Sequence, residues 1–205
     1  MTKLGLVCAL AAVPLAAAAQ NAHTHAPAFT HADSLRGSLT SPDRTWWDVA
    51  FYDLHVAIKP ADSSISGWNG ITYRVLRPAR RMQIDLQQPL VVDSMVAGGR
   101  HVPFSRDGNA FFATLPAASP AGALRTITVY YHGRPQAAKR PPWDGGFTWA
   151  TDSLGHPWIV TTDQGVGASI WWPNKDTQAD EPDSQRIALT LPDGIFDVSN
   201  GRLRR

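Results

Sequence analysis

From Trp46 onward the chain alternates apolar and polar residues with a period of two. Leu54, Val56 and Ile58 fall on one side of an extended segment, and Asp53, His55 and Lys59 on the other. That is the pattern of a strand with one face buried. The same pattern predicts strands at ITYRVL (71–76), MQIDL (82–86), LVVDSMV (90–96), NAFFATL (109–115) and RTITVYY (125–131). Further strands are expected at HPWIVTT (156–162), SIWW (169–172), RIALTL (186–191) and IFDVS (195–199). Turn signals separate them: Trp68-Asn69-Gly70, Gly98-Gly99, Asp107-Gly108-Asn109, Pro192-Asp193-Gly194 and Asn200-Gly201. Glycine and asparagine accept the positive φ that tight hairpins demand. No segment beyond residue 20 carries an apolar helical stripe with caps. The expected fold is all-β, a large antiparallel sheet or a sandwich. The closing VSNGRLRR reads as a strand, a turn and the opening of another strand, so the domain is expected to be incomplete at its C-terminal end.

The first residues break this pattern. MTKLGLVCALAAVPLAAAAQ has a basic start at Lys3, an apolar run from Leu4 to Leu15, and small residues at Ala17, Ala18 and Ala19. The run is too short to span a bilayer and reads as a secretory signal over residues 1–19, cleaved after Ala19. The mature protein is expected to be exported, periplasmic or extracellular, with no membrane span. The only cysteine, Cys8, lies inside the signal. Stability of the mature chain must therefore come from apolar burial, with no disulfide. Residues 20–45 are rich in Ala, Thr, Ser, His and Pro without a steady period and read as a flexible leader. Its His23, His25 and His31 are weighed as metal ligands against a solvated polar tail, and the tail is the better reading.

Composition narrows the function. Of 205 residues, 43% are hydrophobic and 18% charged, the make-up of one soluble globular domain. The 19 basic and 17 acidic residues are interspersed and leave a formal charge of +2, with no basic stripe, which argues against a nucleic-acid partner. Among the acids there is a single glutamate, Glu181. None of the seven histidines precedes a glutamate, so the H-E-x-x-H zinc site of helical metallopeptidases is absent from this chain. The nearest approach to a G-x-S-x-G nucleophile elbow, Gly167-Ala168-Ser169-Ile170-Trp171, lacks its second glycine, and a small polar residue entering a strand explains Ser169 better. Gly165-Val166-Gly167 lacks the remainder of a phosphate-binding loop.

Two other chemistries are open at this point. Asp176, Asp180, Glu181 and Asp183 lie close together, but glycosidase carboxylates face each other across a cleft, so a solvated acidic turn is favoured. Eight tryptophans, Trp46, Trp47, Trp68, Trp143, Trp149, Trp158, Trp171 and Trp172, could stack on sugars if exposed. For any single ring the core is the better reading, because large apolar area is normally buried.

The run PPWDGGFTWATDSLGHPWIVTTDQGVGASIWWPNKDTQADEPDS, from Pro141 to Ser184, resembles the amino-terminal domain of the aminopeptidase N family of zinc metallopeptidases. The segments Tyr52-Asp53-Leu54-His55-Val56, Leu191-Pro192-Asp193-Gly194 and Val198-Ser199-Asn200-Gly201 are similar to it as well, so the resemblance covers about residues 46–205. It implies a saddle-shaped β domain that precedes a zinc catalytic domain. It also implies that the zinc ligands, the glutamate base and a G-x-M-E-N segment lie downstream and are absent here. Zinc would then belong to the full-length enzyme, and this chain alone would be inactive. Registering Trp171-Trp172-Pro173 on the family pattern assigns to Gln164 the contact with the free amine of a peptide substrate, with Thr162 or Asp163 as possible sharers. Such an enzyme removes amino-terminal residues from peptides, and its domain here has two partners: the peptide, through its amino terminus, and the missing catalytic domain. The alternative is a free-standing exported β-sandwich that binds carbohydrate or peptide through exposed tryptophans.

Overall fold

The structure, a computed structural model, describes residues 31–36 and 40–204. Residues 1–19, read above as an export signal, and His23 and His25 lie outside the described residues. Among the described residues eleven strands form in chain order: β1 (Trp47–Lys59), β2 (Ser64–Val75), β3 (Arg81–Asp85), β4 (Val91–Ala97), β5 (Arg100–His101), β6 (Phe104–Asp107), β7 (Ala110–Thr114), β8 (Leu124–Gly133), β9 (Gly146–Thr151), β10 (Pro157–Thr162) and β11 (Ser184–Thr190). The fold is all-β. Six strands make one sheet in the order β11-β1-β2-β8-β4-β5, three make a second in the order β3-β7-β6, and β9 and β10 form a separate two-stranded ribbon.

The two-residue period holds along β1, where Leu54 and Val56 are buried and Asp53 and His55 lie on the opposite face. It is broken once on purpose. A bulge at Ala50 puts Val49 and Tyr52, three residues apart, on the same buried side. The Ala50 carbonyl accepts a hydrogen bond from the Asp183 N–H at 3.1 Å. The inner faces of the large sheet and the three-stranded sheet share one core, which includes Trp46, Leu54, Ile71, Ile84, Phe111 and Val129. Burying each such side chain is worth about 1.5–3 kcal/mol, and among the described residues no cysteine adds a cross-link.

The structure departs from the sequence pattern in several places. β11 pairs with β1 in parallel, not antiparallel, after a long return of the chain, and Asp53 lies opposite Arg186. Trp68-Asn69-Gly70 is no turn; it lies inside β2, and the reversal from β1 to β2 runs through Pro60–Asp62 and Ser63. Asn69 is fully buried and donates from Nδ2 to the Pro173 carbonyl at 2.8 Å, so a turn-forming residue type serves here as a tether. At Gly67 a Cβ would stand 2.0 Å from the His55 carbonyl oxygen, so only glycine fits between β1 and β2.

SIWW forms no strand. A short 3-10 turn over Ala168–Ile170 follows Gly167, whose φ is +81°, and Trp172 packs edge-on against Tyr52 with ring centroids 4.9 Å apart. IFDVS is not a strand either, and Phe196 and Val198 are exposed. β5, β6 and β9 have no counterpart in the sequence reading: the first two are short, and β9 has only β10 as a neighbour. A five-residue helix, α1 (His31–Leu35), forms within the segment read as leader, and Arg44 in that same segment is fully buried. Among the described residues no helix is long and apolar enough to cross a membrane.

Candidate functional site

The ribbon of β9 and β10 sets up the site. Its register pairs Gly146 with Thr162, so the segment entering β9 and the segment leaving β10 stand side by side at one end. The entering loop carries Trp143 and the leaving loop carries Gln164.

The entering loop is tied to itself. The Asp144 carboxylate accepts the backbone N–H groups of Lys139 and Arg140 at 2.6 and 2.8 Å, and the Trp143 N–H donates to the Arg140 carbonyl at 2.9 Å. Gly145 and Gly146 are needed where they stand. Gly145 (φ +70°) touches Val166 so closely that a Cβ would lie 2.4 Å from a valine methyl. At Gly146 (φ +115°) a Cβ would lie 2.5 Å from the Gln136 carbonyl oxygen. The two loops are therefore in direct contact.

The leaving loop is held from below. The N–H groups of Val166 and Gly167 both donate to the Asp163 carbonyl, at 3.1 and 2.8 Å. Gln87 donates from Nε2 to the Val166 carbonyl at 2.6 Å. The Asp163 side chain turns inward and accepts the Trp171 indole N–H at 3.1 Å. Burial pushes the Asp163 carboxyl up, against the pull of that indole N–H. Gln164, next in the chain, is exposed. Of the residues weighed for the amine contact, Asp163 is thus committed to the interior, Thr162 is half-buried, and Gln164 alone stands free.

Beneath the loop lies a buried polar hub that sequence reasoning missed. Ser169 donates to Asp176 at 2.5 Å, and the Asp176 N–H donates to Asp85 at 3.0 Å. Asp85 also faces the Arg44 guanidinium at 2.9 Å and the Gln83 amide at 2.9 Å, with Asp85 and Arg44 both excluded from solvent. Burial pushes the Asp85 carboxyl up to about 6, against the pull of Arg44, Gln83 and the Asp176 N–H. Arg36 reaches Asp176 at 3.3 Å. Alongside, Lys175 pairs with Asp180, donates to the Trp47 carbonyl at 2.5 Å, and lies 4.3 Å over the Trp47 ring. Burial lowers the Lys175 pKa while Asp180 opposes the shift. Asp180 in turn accepts the Val49 N–H at 3.1 Å.

This disposes of the acidic run as a solvated turn. Asp176 and Asp180 are interior ion-pair partners, and only Glu181 and Asp183 face solvent. Ser169 is buried, and its hydrogen bonds go to Asp176 and Gln87, not to an imidazole, so it has no nucleophile's surroundings. His31 contacts Asp107 at 3.1 Å, and among the described residues no group of three or more His, Cys, Asp and Glu side chains could hold a metal ion. The tryptophans divide. Trp46, Trp47 and Trp172 are core, whereas Trp143 and Trp158 are 85% and 60% exposed. At its other end the ribbon borders an apolar groove of about 860 Å³, lined in part by Trp149, Pro157, Ile159, Pro192 and Phe196.

Neither a family model nor a curated protein sequence matches the chain. Solved structures do. A mutant two-domain M1 zinc metallopeptidase bound to L-arginine matches with a TM-score of 0.58 at 22% identity, over 78% of this chain and 38% of that one. The M1 zinc metallopeptidase from Deinococcus radiodurans matches with 0.58 at 20% identity, over 78% and 37%. Native leukotriene A4 hydrolase from Saccharomyces cerevisiae matches with 0.58 at 14% identity, over 78% and 27%. The chain has a fold found in M1 zinc metallopeptidases. It spans little more than a third of the length of the first two structures and about a quarter of the third.

Proposed function

We propose that this chain is the amino-terminal β domain of an exported zinc aminopeptidase and that Gln164 receives the free amine of the peptide substrate. On this proposal residues 1–19 are the export signal, 20–45 the leader and 46–205 the domain. The observation that carries it is the exposure of Gln164 on a loop braced by Gln87, Val166 and the inward-turned Asp163, within a fold found in M1 zinc metallopeptidases. The side-chain amide oxygen of Gln164 accepts a hydrogen bond from the substrate ammonium. Being neutral, it contributes less than a carboxylate at the same place would. The braced loop fixes the backbone that carries Gln164, so ordering entropy on binding is confined to the side chain. Zinc, held elsewhere in the full-length enzyme, supplies the activated water. Among the described residues no group of three or more His, Cys, Asp and Glu side chains could hold it.

The test is kinetic. With zinc present, the 205-residue chain alone should release nothing from a leucine chromogenic amide, while a polypeptide that also carries the catalytic domain should do so. In that longer polypeptide Gln164→Ala should raise KM roughly 10-fold with kcat little changed, the size expected for a hydrogen bond to a charged group. Hydrolysis by the short chain, or an unchanged KM in the variant, sinks the proposal. The exposure of Trp143 and Trp158 favours one second reading, a binding module that stacks on carbohydrate. A glycan array with the isolated chain decides it, since the aminopeptidase reading expects no binding there.

A further inference from the structure

Trp143 is the most exposed tryptophan of the described residues and yet sits on a loop tied by its own hydrogen bonds. Its loop is closed by Asp144 on the N–H groups of Lys139 and Arg140, by its own N–H on the Arg140 carbonyl, and by the contact of Gly145 with Val166. A large ring held in water by an ordered backbone loses the burial that stabilises tryptophan elsewhere in this chain, where Trp46 and Trp47 are essentially sealed. No ring or cation of the described residues stacks on Trp143. Its immediate neighbours Pro141 and Pro142 are exposed too, so the loop presents an apolar edge.

The direction of that edge follows from register. Gly146 opposes Thr162 at the ribbon end, so the loops bearing Trp143 and Gln164 leave it together and touch through Gly145 and Val166. The side chain of an amino-terminal residue begins one bond beyond the carbon that carries the free amine. A group that binds the amine therefore brings this side chain close to whatever stands beside it. Beside Gln164 stands the loop of Trp143.

We infer that Trp143 is a specificity-determining residue: its indole forms an apolar wall for the side chain of the substrate's amino-terminal residue and favours large apolar side chains there. The inference rests on the proposed role of Gln164 and names the side-chain class of the same site. An indole face adds contact area for Leu or Phe and nearly none for Ala. Contacts of this kind discriminate by about tenfold or more.

The experiment compares the wild-type full-length polypeptide, loaded with zinc, with Trp143→Ala and Trp143→Phe on the p-nitroanilides of leucine, phenylalanine and alanine. Trp143→Ala should lower kcat/KM about 10-fold for the leucine and phenylalanine substrates and less than threefold for alanine. Trp143→Phe should recover most of the loss, since an aromatic face returns. Because the ring is exposed, both variants should melt with the wild type, which separates a contact from a folding defect. Equal losses on all three substrates would assign Trp143 to domain docking and overturn the inference, and so would no loss on any. A wild-type polypeptide that hydrolyses none of them removes both this inference and the proposed function, whereas ordinary hydrolysis with an indifferent Trp143 removes the inference alone.

Discussion

Lys175 and Trp143 invert what their chemistry favours: the lysine is 8% exposed and the tryptophan 85%. Around the lysine every strong charge has a partner. Lys175 has Asp180, Arg44 has Asp85, and Asp176 has Ser169 and Arg36; the Arg44 guanidinium also donates to the Leu35 and Asp176 carbonyls, and only its Nε is left without a partner. A buried ion held by an opposite charge is spent on structure, because any movement would strand a charge in a medium that solvates it poorly. Around the tryptophan the backbone is satisfied while the ring is free. The difference teaches where to look for function: the buried charges of the hub belong to the scaffold, and the neutral pair of Trp143 and Gln164 faces outward.

The comparison can be broken most severely at the hub. Asp85→Ala leaves Arg44 buried without its carboxylate and should cost about 3–5 kcal/mol, read as a lower urea midpoint in the full chain. A change within experimental error would show that the hub is not the scaffold.

Alkaline pH tests the same interior more gently. Tyr52, which accepts the Lys175 N–H at 3.1 Å, and Tyr131 are both raised by burial, and burial takes Tyr73 up to about 12. Above about pH 10 the unfolded phenols lose protons that the folded ones keep, so the stability they contribute is full below 10 and falls as pH rises. Each phenol should remove about 1.4 kcal/mol per pH unit while it stays neutral in the fold. Urea midpoints at pH 8, 10 and 11 measure this, and a flat profile would contradict the burial of these rings.

The smallest effect belongs to the outward pair. Trp143→Ala and Gln164→Ala should each leave stability within about 0.5 kcal/mol of wild type, as for surface positions without a structural partner. A loss of 2 kcal/mol or more in either would erase the contrast with Lys175.

What was legible in the sequence follows from locality. Leu54, Val56, Ile127 and Val129 announced their strands because strand faces alternate with the sequence itself. Gly98-Gly99 and Gly108 marked real turns because positive φ is a property of one residue. Trp68-Asn69-Gly70 misled for the converse reason: turn-forming residue types sit inside β2, where Asn69 is recruited by Pro173, 104 residues away. SIWW misled because apolar, β-prone residues also suit a tight turn once their rings have a core to enter. Gln164 came from resemblance and not from spacing, and the structure adds that Asp163 beside it is turned inward. Trp143 carried no local signal that set it apart from seven other tryptophans.

The sequence by itself determined the class of the fold, the main strands and their buried faces, and the absence of an H-E-x-x-H metal site, since each depends on residues near one another or on simple counts. Only the tertiary structure decided which charges are interior, that β11 runs parallel to β1, and that the loops of Trp143 and Gln164 stand together. Those outcomes depend on partners far apart in the chain, such as Asp85 with Asp176, separated by 91 residues, and Lys175 with Trp47, separated by 128. A local pattern carries no information about which distant residue will fill the place opposite.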